Sequence, residues 1–268
     1  MDYSIRIIVA SHKDYPMPAD EMYLPVFAGA ELRKPEEKPD AFTPDNSGDN
    51  ISALNPYYSE LTALYWGWKN LGADYIGLAH YRRHFSFSGR RGPEFAVTQK
   101  ELSPYLEKIL IFTPKKRRYY IETLYSHYAH TFDASYLDKA RSIIQTACPE
   151  YLISFDKTVS RRSGYMFNMM IMRRELLDDY CKWLFDILKS LRSLIDESEM
   201  TPFEKRYPGR VSEILFNVWL NHLISTGKIN NNEIKEIPVV CTEKTDWIKK
   251  GSAFLKAKFF GKKYDKSF

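Results

Sequence analysis

His80-Tyr81-Arg82-Arg83-His84 is the densest chemical stretch of the chain. A guanidinium offers paired N–H donors that match phosphate oxygens, and a tyrosine ring can stack on a base. The stretch follows Tyr75-Ile76-Gly77-Leu78-Ala79, which reads as a buried strand. Alternate strand residues face opposite ways, so Arg82 and Arg83 need not both meet one ligand. The plainer reading pairs both arginines with surface carboxylates. Ser11-His12-Lys13 stand in the same relation to another apolar run, Ile5-Arg6-Ile7-Ile8-Val9-Ala10. Thr113 to Arg118 follow a third, Ile109 to Phe112. Cationic and polar groups thus gather where strands end, which points to an anionic ligand.

Other clusters carry less. Asp45-Asn46-Ser47-Gly48-Asp49-Asn50-Ile51-Ser52 is rich in amides and carboxylates that could read sugar hydroxyls. It could equally be an Asx-turn loop leading into a helix. His127 and His130 lie three apart, but no third metal ligand is evident, and core or capping roles suit them as well. Glu213 is either a first-turn glutamate that favours the helix dipole or a general base at a cleft. No GxGxxG, Walker or GxSxG sequence occurs, so nicotinamide, P-loop and serine-hydrolase sites find no support.

The elements that must hold these groups follow from periodicity. Ile5–Ala10, Tyr75–His80, Ile109–Phe112, Tyr165–Met172 and Ile237–Cys241 read as strands. Helices are predicted from Asn55 to about Asn70, over 99–109, from an Asp133 N-cap to Ala147, over 175–194 and over 212–225. Strands alternating with helices predict an α/β fold with a mixed, mostly parallel sheet flanked by helices. In such sheets ligands bind beyond the carboxyl ends of the strands.

With 44% apolar residues among 268, the chain can bury a core, which excludes global disorder. Cys148, Cys181 and Cys241 lie far apart, which argues against a disulfide framework or zinc finger and fits a reducing compartment. Residues 1–10 do not read as a secretory signal, and no apolar run reaches the ~18 residues of a membrane-spanning helix. A soluble or peripheral protein is expected. The charge is uneven. Residues 244–268 hold eight lysines and two aspartates, a net +6, which leaves the rest of the +5 chain at −1. Trp247, Phe254, Leu255, Phe259, Phe260, Tyr264 and Phe268 interleave with those lysines. The division expected is one domain over 1–243 and a basic aromatic tail over 244–268. That tail suits an anionic membrane surface. Single-stranded nucleic acid and a plain solvated terminus are the competing readings.

Four blocks together resemble a bacterial glycosyltransferase family long labelled a domain of unknown function. They are Ile7–Lys13, Gly48–Ser52 with Asn55–Trp66, Tyr75–Arg83, and Asn168–Met172 followed by Tyr180–Phe185. The family occurs in capsule, exopolysaccharide and lipopolysaccharide gene clusters, and some members are galactofuranosyltransferases. The resemblance spans about residues 5–240 and leaves the tail outside.

It implies a GT-A-like fold and a UDP-sugar donor. Donor contacts would then fall to Ala10, Ser11, His12 and Lys13, to Asn50, Asn55 and Glu60, and to His80, Tyr81, Arg82 and Arg83. Asn168 and Met169 would approach the acceptor. Glu213 would be the catalytic base, with Asp49 also at the reaction centre. The DxD motif that usually holds a divalent metal (Mn or Mg) is not seen; the matching strand ends in Ala79-His80-Tyr81-Arg82. His80 could ligate a metal with Asp49 or another carboxylate, or Arg82 or Arg83 could neutralise the diphosphate instead. The expected reaction is an inverting transfer to a lipid-linked saccharide at the cytoplasmic face of the cell membrane, with no nucleic acid as partner. The alternatives are a non-catalytic nucleotide-sugar or carbohydrate-binding module and a sugar-phosphate transferase.

Overall fold

The computed structural model describes residues 3–242. The basic aromatic tail and its expected membrane role lie outside the described residues.

The described residues form eleven strands: β1 (Ile5–Ser11), β2 (Tyr23–Phe27), β3 (Thr43–Pro44), β4 (Tyr75–His80), β5 (Arg83–Phe85), β6 (Ile111–Pro114), β7 (Arg117–Arg118), β8 (Ser163–Gly164), β9 (Met170–Arg173), β10 (Ile234–Ile237) and β11 (Val239–Cys241). The main sheet runs β10-β6-β9-β4-β1-β2-β3, with β5 joined to β4 and β11 to β5. β1 is parallel to β2 and β4, β2 to β3, and β6 to β10. β9 enters antiparallel between β4 and β6. The carboxyl ends of β1, β4, β6 and β10 therefore share one edge. β7 and β8 form a separate ribbon just beyond it.

The eight α-helices among the described residues are α1 (Asn55–Tyr58), α2 (Leu61–Asn70), α3 (Gln99–Leu102), α4 (Leu124–Thr131), α5 (Ser135–Ala147), α6 (Leu152–Val159), α7 (Arg174–Ser193) and α8 (Tyr207–Ser225). Strand alternation divides the core in two. Ile8, Ala10, Ile76, Leu78, Met170 and Met172 face the larger core, with residues of α2 and α5 to α8. Ile7, Val9, Tyr75, Ala79 and Ile171 face the smaller one, closed by Val97, Leu102 and Leu106. The mixed, mostly parallel sheet flanked by helices is the architecture the alternating pattern predicts.

Several details differ from the sequence reading: among them, the strand predicted over Ile237–Cys241 breaks at Pro238, and α8 begins at Tyr207 rather than 212, so Glu213 is not in its first turn. The helix predicted over Asn55–Asn70 is two, because Ser59 leaves helical geometry at φ 51, ψ −126. The strand predicted over Tyr165–Met172 begins only at Met170, since Phe167 (φ 76) and Asn168 (φ 52) are left-handed. Residues 99–109 carry a four-residue helix and a 3-10 turn rather than one helix. Asp133 lies outside α5 and accepts the Ser135 N–H at 2.9 Å, with Ala134 at the N-cap.

Candidate active site

The break between α1 and α2 aims Glu60 at the carboxyl edge of the sheet. Nothing in Tyr58-Ser59-Glu60 demands a break, so side chains must hold it. Asn55 Nδ2 donates to the Ser59 carbonyl at 2.9 Å and to Thr62 Oγ1 at 3.1 Å. Arg206 Nε donates to Ser59 Oγ at 2.9 Å. A non-glycine residue at positive φ costs about 1–3 kcal/mol and persists where its surroundings over-determine it.

The second kink meets the first. Asn168 tolerates the left-handed conformation better than most residues. It is 2% exposed. Its Nδ2 donates to Glu60 Oε1 at 2.8 Å and to Gly209 O at 2.9 Å. Its Oδ1 accepts from Ser212 Oγ at 2.8 Å. Asn168 thus ties Glu60 to the first turns of α8, which carries Glu213. His80, at the end of β4, reaches the same kink: its Nε2 lies 2.6 Å from Phe167 O. A carbonyl only accepts, so Nε2 carries the proton.

Glu213 is half-buried at this junction. Burial, with the Glu60 charge beside it, pushes its carboxyl up to about 7. A Phe167 backbone hydrogen bond and the Arg117 and Arg83 charges oppose that shift. A carboxylate that titrates near neutrality can take a proton in one step and release it in the next. Burial lowers the pKa of His80 and outweighs the opposing Glu60 charge, which keeps its ring neutral at pH 7. The Arg83 guanidinium sits 4.5 Å from the Phe167 ring centroid.

Beside these carboxylates lies a cationic, aromatic shelf at the ends of β1 and β4. Lys13 Nζ is 5.3 Å from the Tyr81 ring centroid and the Arg82 guanidinium 5.2 Å. His12 and Tyr15 meet the same ring edge-on at 5.3 and 5.0 Å. Partial burial lowers the His12 pKa, and the charges of Arg33, Lys13, Arg82 and Arg206 lower it further. So many cations around one imidazole make a field suited to a diphosphate. Ser11 is buried, and its hydroxyl donates to Lys13 O at 2.7 Å, which fixes the turn rather than facing out. Ala10 is buried within β1, and its carbonyl accepts the Tyr81 N–H at 3.3 Å.

The structure therefore brings together Glu60, His80, Arg83 and Glu213, with His12, Lys13, Tyr81 and Arg82 alongside. It does not bring Asp49 or Asn50 there. Asp49 accepts from Tyr65 Oη at 3.2 Å and lies 3.8 Å from Lys69 Nζ. Tyr65 and Lys69 stand five and nine residues beyond Glu60, about 7 and 13 Å along the helix axis at 1.5 Å per residue. Asn50 caps its own turn, donating to Gly48 O at 3.0 Å. Asp49 and Asn50, expected at the reaction centre and on the donor, have their contacts outside this cluster. Asn55 and Asn168 brace the site with their amides instead of presenting them to a ligand. Met169 is 1% exposed in the smaller core, so its side chain offers an acceptor nothing.

The Asp45–Ser52 loop proves to be a latch. Buried Asp45 accepts from the Gly29 and Ala30 amides at 2.9 and 3.0 Å, from Thr62 Oγ1 at 2.6 Å and from Ser52 Oγ. Gly29, at φ 75, has Asn55 so close that an added Cβ would lie 2.7 Å from its side chain. His127 and His130 share one buried carboxylate, Glu122, at 2.8 and 2.7 Å.

The described residues do not form a ready-made divalent-metal site. His80 Nε2 is a donor to Phe167 O, Asp49 lies at the far end of α2, and the described residues hold no group of three or more metal-ligating side chains.

Several contributors escaped the sequence reading: Ser59 and Phe167, which act through backbone geometry, Ser212, and the distant cations Arg33 and Arg206. Only Asn168, a residue tolerant of left-handed geometry, carried a local signal.

Braced carboxylates beside a cationic shelf, at the carboxyl edge of a mixed α/β sheet, are a glycosyltransferase-like arrangement, and the fold matches a solved member of that class. Over 90% of its length the chain matches the apo structure of the WbbM bifunctional glycosyltransferase, with a TM-score of 0.82 and 30% identity. It covers 46% of that protein, less than half its length. The model of the family described as Domain of unknown function (DUF4422) matches residues 6–224, and the chain belongs to that family. No curated protein matches it.

Proposed function

We propose that the chain is an inverting glycosyltransferase that moves a hexosyl group from a UDP-sugar to a saccharide hydroxyl. The observation that carries this reading is Glu213, held near neutral pKa beside Glu60 and next to the Lys13–Arg82 shelf. Lys13 and Arg82 neutralise the diphosphate, while Tyr81 forms the floor beneath them. The acceptor oxygen forms a bond to the anomeric carbon as the bond from that carbon to the diphosphate oxygen breaks. The electron pair leaves with UDP, and the acceptor proton passes to the Glu213 carboxylate. His80 stays neutral and holds the Phe167 carbonyl. Asn168 and Ser212 keep Glu60 in place, and its negative charge favours the proton's transfer to Glu213. One base suffices, and no covalent intermediate is required.

The family resemblance supports the finer reading of a lipid-linked acceptor in capsule, exopolysaccharide or lipopolysaccharide assembly, with galactofuranose as a candidate sugar. A peripheral position at the cytoplasmic membrane face belongs to the same reading. No helix among the described residues is long and apolar enough to cross a membrane.

Incubation with a set of UDP-sugars and analysis of the nucleotide product tests this. Release of UDP, by hydrolysis or transfer, is expected. UMP as product would indicate a sugar-phosphate transferase, and tight UDP binding without turnover a binding module.

A further inference from the structure

The face of α8 that begins with Glu213 continues into a cavity. Residues 213, 217, 220, 221 and 224 follow the helical repeat, so they share one face. Asn217, Leu220, Asn221 and Ile224 line a cavity of about 310 Å³ beyond the end of β6. Its other walls include Thr158, Arg161, Tyr165 and Glu236. At 1.5 Å per residue, Asn217 lies about 6 Å and Asn221 about 12 Å along the helix from Glu213.

Its walls are unusually polar. Thr158 is fully buried and Asn221 is 9% exposed. Neither Thr158 Oγ1 nor Asn221 Nδ2 has a hydrogen-bond partner among the described residues. A buried polar atom left unpaired costs about 1–3 kcal/mol. Asn221 Oδ1 is engaged by Arg161 at 2.6 Å, which turns the free amide donors the other way. Asn217 is fixed by the Tyr165 backbone, donating to its carbonyl and accepting its N–H, both at 2.8 Å. Gly164 permits this approach: an added Cβ would stand 3.1 Å from Asn217 Oδ1.

The chemistry selects the ligand. Lys116 and Arg161 are offset in part by Glu236, so the walls do not demand a strongly anionic guest. Tyr165 is 7% exposed and has Lys116 Nζ 4.9 Å from its ring centroid, so it offers no open platform for a base. Neutral amides and hydroxyls, with Leu220, Ile224 and Ile234 as an apolar strip, suit a polyol with one C–H face. The volume, at the lower end of the ~300–1,000 Å³ of small-molecule sites, suits a single sugar ring.

We propose that this cavity is an acceptor subsite for one neutral hexose unit, set back along the saccharide from the hydroxyl that Glu213 deprotonates. The proposal rests on the glycosyltransferase reading and adds the part of the acceptor that is recognised.

The test is saturation-transfer NMR on the full chain with the methyl glycosides of glucose, galactose, mannose, rhamnose and N-acetylglucosamine, each with saturating UDP present. Transfer to at least one glycoside is expected. Thr158→Val with Asn221→Leu should weaken that binding at least 10-fold, and nearly isosteric Thr158→Val alone about threefold. UDP affinity should stay within twofold, and Thr158→Val alone should not lower the melting temperature, because the hydroxyl it removes is buried and unpaired, whereas Asn221→Leu also removes the acceptor of Arg161. No transfer to any of the five, or equal binding by the folded double variant, would overturn the subsite. Failure of the glycosyltransferase reading is seen separately, as absence of UDP binding and of UDP release from every UDP-sugar.

Discussion

Asn168 grips Glu60 across the cleft, Nδ2 to Oε1 at 2.8 Å, although 108 residues separate them in the chain. Glu60 follows the kink at Ser59 and Asn168 stands in the other, so this bond joins the two kinks. Asn168→Ala should destabilise the protein by about 2–3 kcal/mol, through lost buried hydrogen bonds and a Cβ at positive φ without the amide that tolerates it. Asn168→Gly should recover about 1 kcal/mol of that loss, because glycine accepts this conformation. Both should lower kcat at least 10-fold, since Glu60 loses its brace in either. Urea unfolding and UDP release, measured on the same samples, separate the two effects.

The diphosphate shelf makes a second claim. Charge-assisted hydrogen bonds contribute about 1.5–3 kcal/mol each, or roughly 10- to 100-fold in affinity. Lys13→Ala and Arg82→Ala should each weaken UDP binding by such a factor and leave uridine binding within about twofold. Calorimetric titration with the two ligands checks this. Equal losses for uridine and UDP would move these cations away from the phosphates.

Much of this was legible in the chain. Ile5–Ala10 and Tyr75–Ala79 announced buried strands, and the rule that ligands sit beyond strand ends selected His12, Lys13 and His80 to Arg83. The position of Glu213 came from family likeness and from the chemistry a transfer needs. Ser59 was not legible, because its kink is imposed by Asn55 and by Arg206, which is 147 residues away. Asp49 misled for a related reason. Asn55, six residues beyond Asp49, opens the α1–α2 segment, yet Asp49 itself folds back to Lys69 near its other end. Spacing along a loop says little about which end of a helix it meets. His84 shows the limit of residue type: it is fully exposed to neither solvent nor cleft, being 0% exposed and pushed down to about 4 by burial.

Asp45 supplies a purely structural prediction. Its carboxylate accepts from two amides and two hydroxyls in a buried setting. Asp45→Ala strands those donors and should cost about 3 kcal/mol or more. UDP affinity of the folded fraction should be unchanged. A fall in affinity with no fall in stability would return this loop to the ligand.

Glu213 links the site to stability. Its folded pKa, about 7, lies above the ordinary 4.5. Between those values the folded state binds more protons than the unfolded state, so stability falls as pH rises through the window. Below about 4.5 the carboxyl is protonated in both states and the penalty is absent. Glu213→Gln should therefore raise the melting temperature at pH 8, with little effect at pH 4.5. At roughly 2–4 °C per kcal/mol for a chain of this size, the shift is measurable by calorimetry.

The most direct measurement is UDP release as a function of pH, for the native protein and for Glu213→Gln. A general base active as its carboxylate predicts a rate that rises with pH through an apparent pKa of about 7. Glu213→Gln should lower kcat about 10²- to 10⁴-fold and bind UDP as the native protein does. A Glu213→Gln protein that turns over within a few-fold of native, with the same pH profile, would contradict the assignment of Glu213 as the base.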